Sequence, residues 1–214
     1  MELYQRLAEE RERIAYFMRR LYRMGLTTTS GGNISLRCPD GHVLLTPSAL
    51  DKGELRADEI LLARLDGENL TPHLKPTLET GMHLSILRGR PDIDAVVHAH
   101  PVFATSFACA DAELDIAITS EIFMHVPKLG YAAFAPPGTE ELARLTAAAL
   151  ADTNAALMRN HGVVTVGKTL LKAFDLLEAV EVAAKMTVIT RALGGGRSLN
   201  EDERRAMAAL FRTP

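Results

Sequence analysis

Residues 95–101 read Ala95-Val96-Val97-His98-Ala99-His100-Pro101. Five of the seven suit a buried strand, and in a strand the side chains of residues i and i+2 leave the same face. His98 and His100 therefore stand side by side. The pair reads either as two half-buried histidines hydrogen-bonded to their surroundings or as a two-toothed metal clamp. Immediately upstream, Met82, Leu84, Ile86 and Leu87 lie in a helix that opens at Glu79 and ends near Gly89 and Pro91. Immediately downstream, Val102 to Cys109 reads as a short helix.

Further upstream, Leu3, Leu7, Ile14, Phe17, Met18 and Leu21 recur at helical spacing, predicting one packing helix from Leu3 to Met24. Strands are expected at Ile34–Arg37, His42–Thr46 and Ile60–Leu65, with Pro39-Asp40-Gly41 turning the first into the second. Downstream of Asp111 the pattern blurs until Thr139, which can N-cap a helix over Glu140–Leu150. Two strand-like runs, Ala155–Met158 and Val163–Val166, flank Asn160-His161-Gly162. Leu170 to Leu193 is the longest helical pattern, stopped by Gly194-Gly195-Gly196, and Asn200 caps a last helix over Glu201–Phe211. Strands and helices interleave throughout, which argues a sheet covered by helices.

The 214 residues suffice for a full core, and a single domain over residues 1–214 is expected. No apolar run approaches the ~18 residues a membrane span needs. The charged amphipathic start lacks a basic segment followed by an apolar one, so a cytoplasmic location is expected. Cys38 and Cys109, the only cysteines, fit reduced thiols. The net charge of −3 comes with acids and bases well mixed, leaving no basic stripe for nucleic acid.

His161 offers a third imidazole from a loop between two strand-like runs, and three protein ligands with an open position are what a catalytic zinc site needs. His42, His73, His83 and His125 lack partners at ligand spacing and read as surface or structural residues. Thr27 to Ser35 carries Gly31, Gly32 and several hydroxyls; it reads as an ordinary helix-to-strand turn or as an anion cradle in which backbone N–H groups converge on a phosphate. Glu79 opens a helix, where the helix dipole already favours a carboxylate. Beside three histidines it would also serve as a proton-transfer group.

Gly32-Asn33-Ile34-Ser35, Thr46-Pro47-Ser48, Lys75-Pro76-Thr77-Leu78-Glu79, His98-Ala99-His100-Pro101, Tyr131 through Pro137-Gly138-Thr139, and Asn160-His161-Gly162 occur in this order. In order and spacing the set resembles the class II aldolase/adducin family, and within it the L-fuculose-1-phosphate aldolase-like branch, over nearly the whole chain. The resemblance implies a three-layer α/β/α fold with a mostly antiparallel central sheet, assembled as a homotetramer with active sites at subunit interfaces. It implies Zn²⁺, or another divalent metal, on His98, His100 and His161, with Glu79 as catalytic acid/base. A sugar phosphate is the implied partner, held at its phosphate by Gly32, Asn33, Ser48, Ala49 and Thr77.

The implied reaction is cleavage of a ketose 1-phosphate of the fuculose, deoxyribulose or methylthioribulose type to dihydroxyacetone phosphate and an aldehyde, through an enediolate that the metal stabilises. Related enzymes that share this chemistry are sugar-phosphate 4-epimerases, 3-oxo sugar acid phosphate decarboxylases and methylthioribulose-phosphate dehydratases. A non-catalytic adducin-like binding module is the alternative of another class; the intact histidine set with Glu79 argues against it. Two departures stand out. Thr77 and Leu78 replace two serines before the catalytic Glu, and Glu121 lies where the branch carries a proton-donating tyrosine, which makes Glu121 the candidate second acid/base.

Overall fold

The computed structural model describes residues 2–210. One seven-stranded sheet runs through it: β1 (Asn33–Cys38), β2 (His42–Leu45), β3 (Leu61–Arg64), β4 (Ala95–Ala99), β5 (Gly130–Ala132), β6 (Ala155–Met158) and β7 (Gly162–Gly167). The spatial order is β3-β2-β1-β4-β7-β6-β5. Every neighbouring pair is antiparallel except β5 with β6. The intervening α6 (Glu140–Ala149) makes that parallel pair a crossover unit.

Side chains of β4 alternate between two cores. Ala95, Val97 and Ala99 face a layer built from α2 (Ala8–Arg23), α4 (Val102–Cys109), α5 (Ser120–His125) and α7 (Leu170–Ala192), where Ile14, Met18, Phe174 and Leu177 are fully buried. Val96 faces the other layer, α3 (Thr80–Gly89) with α6, among Met82, Ile86, Leu87 and Leu142. The result is a three-layer α/β/α sandwich with a mixed, predominantly antiparallel sheet. The same alternation puts Ile34 and Leu36 of β1 on the α2/α7 side and leaves Asn33 and Ser35 on the α3 side.

Several expectations are corrected. The N-terminal helix is broken at Leu7 into α1 (Glu2–Arg6) and α2, although the Leu7 and Arg11 amides still bond back to Leu3 and Leu7. β1 starts one residue early because Asn33 pairs with His98, and β3 is two residues shorter than Ile60–Leu65. The blurred stretch holds α5, capped by the Thr119 hydroxyl accepting from Ile122 N–H at 3.2 Å. Six residues carry too little periodicity to announce a helix. The last helix, α8 (Glu201–Leu210), matches the expectation up to Leu210; Phe211 lies outside the described residues. Both cysteines are free, and among the described residues no helix is long and apolar enough to cross a membrane.

Candidate functional site

His98 is the fourth residue of β4 and fully buried on the α3 side. Its Nδ1–H donates to the Val163 carbonyl of β7 at 2.8 Å, which fixes the tautomer and leaves the Nε2 lone pair free. His100 follows the strand, its amide bonded to Leu26 O at 3.1 Å. His161 comes from the tight turn between β6 and β7. There Asn160 takes a left-handed φ of 52° and the His161 amide closes back onto Met158 O at 3.0 Å.

The three rings gather with centroids 4.7, 4.8 and 5.5 Å apart, and one nitrogen from each lies within 4.8 Å of the others. Gly162 makes this packing possible: a Cβ there would fall 2.6 Å from Ala99 O and 2.7 Å from the His100 ring. His161 Nδ1 is buried without a hydrogen-bond partner, and His98 Nε2 makes no hydrogen bond and faces only the Glu79 carboxylate at 3.2 Å, a state that polar groups in native cores rarely tolerate unless something else binds them. Imidazole nitrogens that converge in this way are, in the neutral form a metal binds, borderline-soft ligands of the kind divalent zinc takes. His98, His100 and His161 thus form a three-histidine metal-binding site suited to a divalent cation such as Zn²⁺.

Glu79 occupies the N-terminal end of α3, yet its side chain makes no capping bond to the helix. It turns inward and is 7% exposed. Its Oε2 lies 3.2 Å from His98 Nε2 and its Oε1 3.0 Å from His161 Nε2. Asn33 Nδ2 donates to Oε2 at 2.8 Å. Burial opposes ionisation, but the electrostatic pull of the His98 ring, the close approach of His161 and His98 and the bond from Asn33 outweigh it and hold the carboxyl well below the usual carboxylate range. The helix dipole alone does not explain Glu79. Burial, and then the repulsion of the two neighbouring rings, lowers His100 to about 3.

Asn33 is itself held in register. His83, fully buried on α3, donates from Nε2 to Asn33 Oδ1 at 2.5 Å and accepts at Nδ1 from the Ser35 hydroxyl at 2.7 Å. This assignment requires a neutral ring, and burial lowers His83 to about 3. A relay of fixed polarity, Ser35 to His83 to Asn33 to Glu79, therefore aims the Asn33 amide N–H at the carboxylate. His83 is neither a surface residue nor a ligand; its importance is invisible at sequence level because Asn33 lies 50 residues away.

A cavity of about 180 Å³ opens beside Glu79, His100 and His161. Gly31, Gly32, Asn33, Ser48 and Thr77 line it, together with Leu78, Ser30 and Lys52. Gly32 has a φ of +68°, and a Cβ there would lie 2.9 Å from His98 O. Ser48 N–H donates to Lys75 O at 2.9 Å, joining the two loops that carry Ser48 and Thr77. Ala49 is not among the lining residues; its left-handed φ of 61° bends the loop behind Ser48. Glu121 is also not brought here. It sits on α5 and lines a separate cavity with His125, Asp175 and Glu178, because α5 packs on α7. Lys52 went unnoticed in the sequence: a lone lysine in a polar loop ordinarily points to solvent.

Residues 12–188 match the family model described as Class II Aldolase and Adducin N-terminal domain. A 5-deoxy-D-ribulose 1-phosphate aldolase from Bacillus thuringiensis serovar kurstaki is 33% identical over 206 residues, 96% of either chain. An L-fuculose phosphate aldolase from Methanococcus maripaludis is 36% identical over 172 residues, 80% of this chain and 92% of the other. The solved structure of an L-fuculose 1-phosphate aldolase superposes with a TM-score of 0.86 at 30% identity, covering 94% of this chain and 95% of that one.

Proposed function

The chain belongs to the class II aldolase and adducin family, as a metal-dependent aldolase-type lyase acting on a sugar phosphate, and from that premise we propose that it cleaves a ketose 1-phosphate to dihydroxyacetone phosphate and an aldehyde. The observation that carries the reading is the Glu79 carboxylate, set between two histidines of the metal site and steered by Asn33, a residue of the glycine cradle. A divalent cation on the three histidines supplies, when bound, a Lewis acid for the negative charge that builds on the substrate carbonyl as the C3–C4 bond breaks.

The chain's own residues do the rest. Gly32, Asn33, Ser48 and Thr77 hold the phosphate, and Ala49 contributes the bend that presents Ser48. Asn33 keeps Glu79 ionised and oriented, so that the carboxylate takes the C4 hydroxyl proton, directly or through water, as the C3–C4 bond breaks and the aldehyde separates. Glu79 then returns that same proton to C3 of the three-carbon fragment. Glu121 does not serve this step within one protomer, because it lines another cavity. The expected assembly is a homotetramer, whose mass light scattering of the purified protein checks, and the expected location is the cytoplasm.

The test is to incubate the metal-loaded protein with a panel of ketose 1-phosphates and assay dihydroxyacetone phosphate. A 5-deoxypentulose 1-phosphate leads the panel, because the Bacillus thuringiensis relative covers the whole fold. Release of the triose phosphate is expected; carbon dioxide, an epimer or a dehydrated sugar as the product would overturn the reading. Glu79→Gln is expected to keep its metal and lose at least about 10²-fold in turnover, since it removes a proton-transfer group without removing volume. Turnover and zinc content measured on one preparation check this.

A further inference from the structure

Lys52 is 2% exposed, the one buried lysine among the described residues. Its ammonium group carries three donors, and the one bond it makes is to a neutral carbonyl, Pro47 O. Among the described residues no carboxylate pairs with it. Asp51, its neighbour in sequence, accepts from the Gly53 amide at 2.8 Å. Glu79, in the same cavity, is engaged with Asn33, His98 and His161. A buried cation with a single neutral partner is costly, and its surroundings here give it no structural counter-ion.

The backbone fixes where this charge sits. Lys52 N–H donates to Thr29 O at 2.9 Å, pinning its loop onto the glycine turn. A Cβ on Gly53 would lie 2.6 Å from the Tyr22 ring, so the residue after Lys52 packs closely against α2. Across the cradle, the Thr27 hydroxyl is buried without a partner, and a Cβ on Gly31 or Gly32 would fall 3.0 or 2.9 Å from it. Two of the three Lys52 donors thus remain without a partner in a cavity already lined by donors from Asn33, Ser48 and Thr77, and the unpartnered Thr27 hydroxyl lies behind its glycine turn. Every one of these groups can donate, and an anion is the ligand that satisfies donors together.

We propose that Lys52 is a substrate-binding residue of this cavity, its ammonium group meeting the phosphate of the substrate. The proposal deepens the ketose 1-phosphate reading and rests on it for the choice of phosphate as the anion. It also accounts for Leu78, which lines the same cavity with an apolar side chain where the resembled branch carries a serine. A charge-assisted hydrogen bond is roughly twice as strong as a neutral one, so Lys52 more than offsets a missing serine. Burial lowers Lys52 to about 8, which still leaves it mostly protonated at neutral pH, and an adjoining dianion would push it back up.

The experiment titrates inorganic phosphate into the zinc-loaded wild-type protein and Lys52→Met by calorimetry, with zinc content and unfolding midpoint recorded for each. Lys52→Met is expected to bind phosphate at least about 10-fold more weakly. In turnover its KM for a ketose 1-phosphate should rise by a similar factor with kcat within about threefold, a split that a general loss of structure does not produce. Should Lys52→Met fail to fold, acetic anhydride labelling of the wild type decides. Phosphate should protect Lys52 severalfold and leave exposed lysines such as Lys168 unchanged. Equal phosphate affinity in the two proteins, no phosphate binding by the wild type, or equal labelling of Lys52 with and without phosphate overturns the proposal. A wild type that binds phosphate through Lys52 yet cleaves no ketose 1-phosphate sinks the aldolase reading and leaves Lys52 standing.

Discussion

Lys52 and His83 illustrate opposite ways for one side chain to serve a site. A lysine held at about 8 instead of its ordinary 10.5 destabilises the folded state by on the order of 3 kcal/mol at neutral pH. Its folded value lies below its unfolded one, so between pH 8 and 10.5 the unfolded chain binds more protons and wild-type stability rises with pH. In anion-free buffer Lys52→Met is therefore expected to unfold at a higher temperature than the wild type. That advantage should shrink from pH 8 to pH 10.5, as thermal melts at several pH values will show. His83 does the reverse, since removing it strands the Ser35 hydroxyl and Asn33 Oδ1 in the core. His83→Leu should cost on the order of 3 kcal/mol in denaturant melts and lower turnover by freeing the Asn33 amide, with zinc content unchanged. His98 and His100 were legible in the sequence because their spacing is local, and His161 and Glu79 because each sits in a short motif that carries the family resemblance. Lys52 and His83 were not, because their roles depend on burial and on partners that only the fold supplies.

Among the elements, the hairpin of β6 and β7 does most to assemble the site. Its turn carries His161, and Gly162 lets β7 approach β4 closely enough for Val163 O to hold the His98 ring. Gly162→Ala would drive a methyl group into Ala99 O and the His100 ring. The expected result is at least about a 10-fold weaker zinc affinity by competition with a chromophoric chelator, with a far-ultraviolet circular dichroism spectrum close to that of the wild type. Elements with a complete local signal were readable before the structure. Thr139 caps α6 through Leu142 N–H at 3.2 Å, and α7 spans 23 residues without a breaker. The break at Leu7, the early start of β1 and the six-residue α5 were not, because each is decided by what the segment packs or pairs against. The same holds for Glu121, whose helix was unreadable and whose position therefore rested on resemblance alone.

At the scale of the molecule, the metal site ties together β4, its C-terminal end and the β6–β7 turn, so a cation that binds only the folded chain stabilises all of it. Zinc at 100 times its dissociation constant adds about 2.7 kcal/mol. For a chain of this size that corresponds to roughly 5–10 °C in Tm. Dialysis against a chelator should lower the unfolding midpoint by that much and abolish turnover, and zinc should restore both. The strand order has a further consequence, for synthesis. β4 lies between β1, made before it, and β7, made after it. His161 follows His100 by 61 residues, so at ~5–20 residues per second the ribosome needs roughly 3–12 s to deliver the third ligand and the strand behind it. Throughout that interval the apolar strand Ala95–Ala99 has one edge paired and the other bare, with two unsupported histidines beside it. The segment that anchors the finished enzyme is thus the one for which the nascent chain most needs a chaperone.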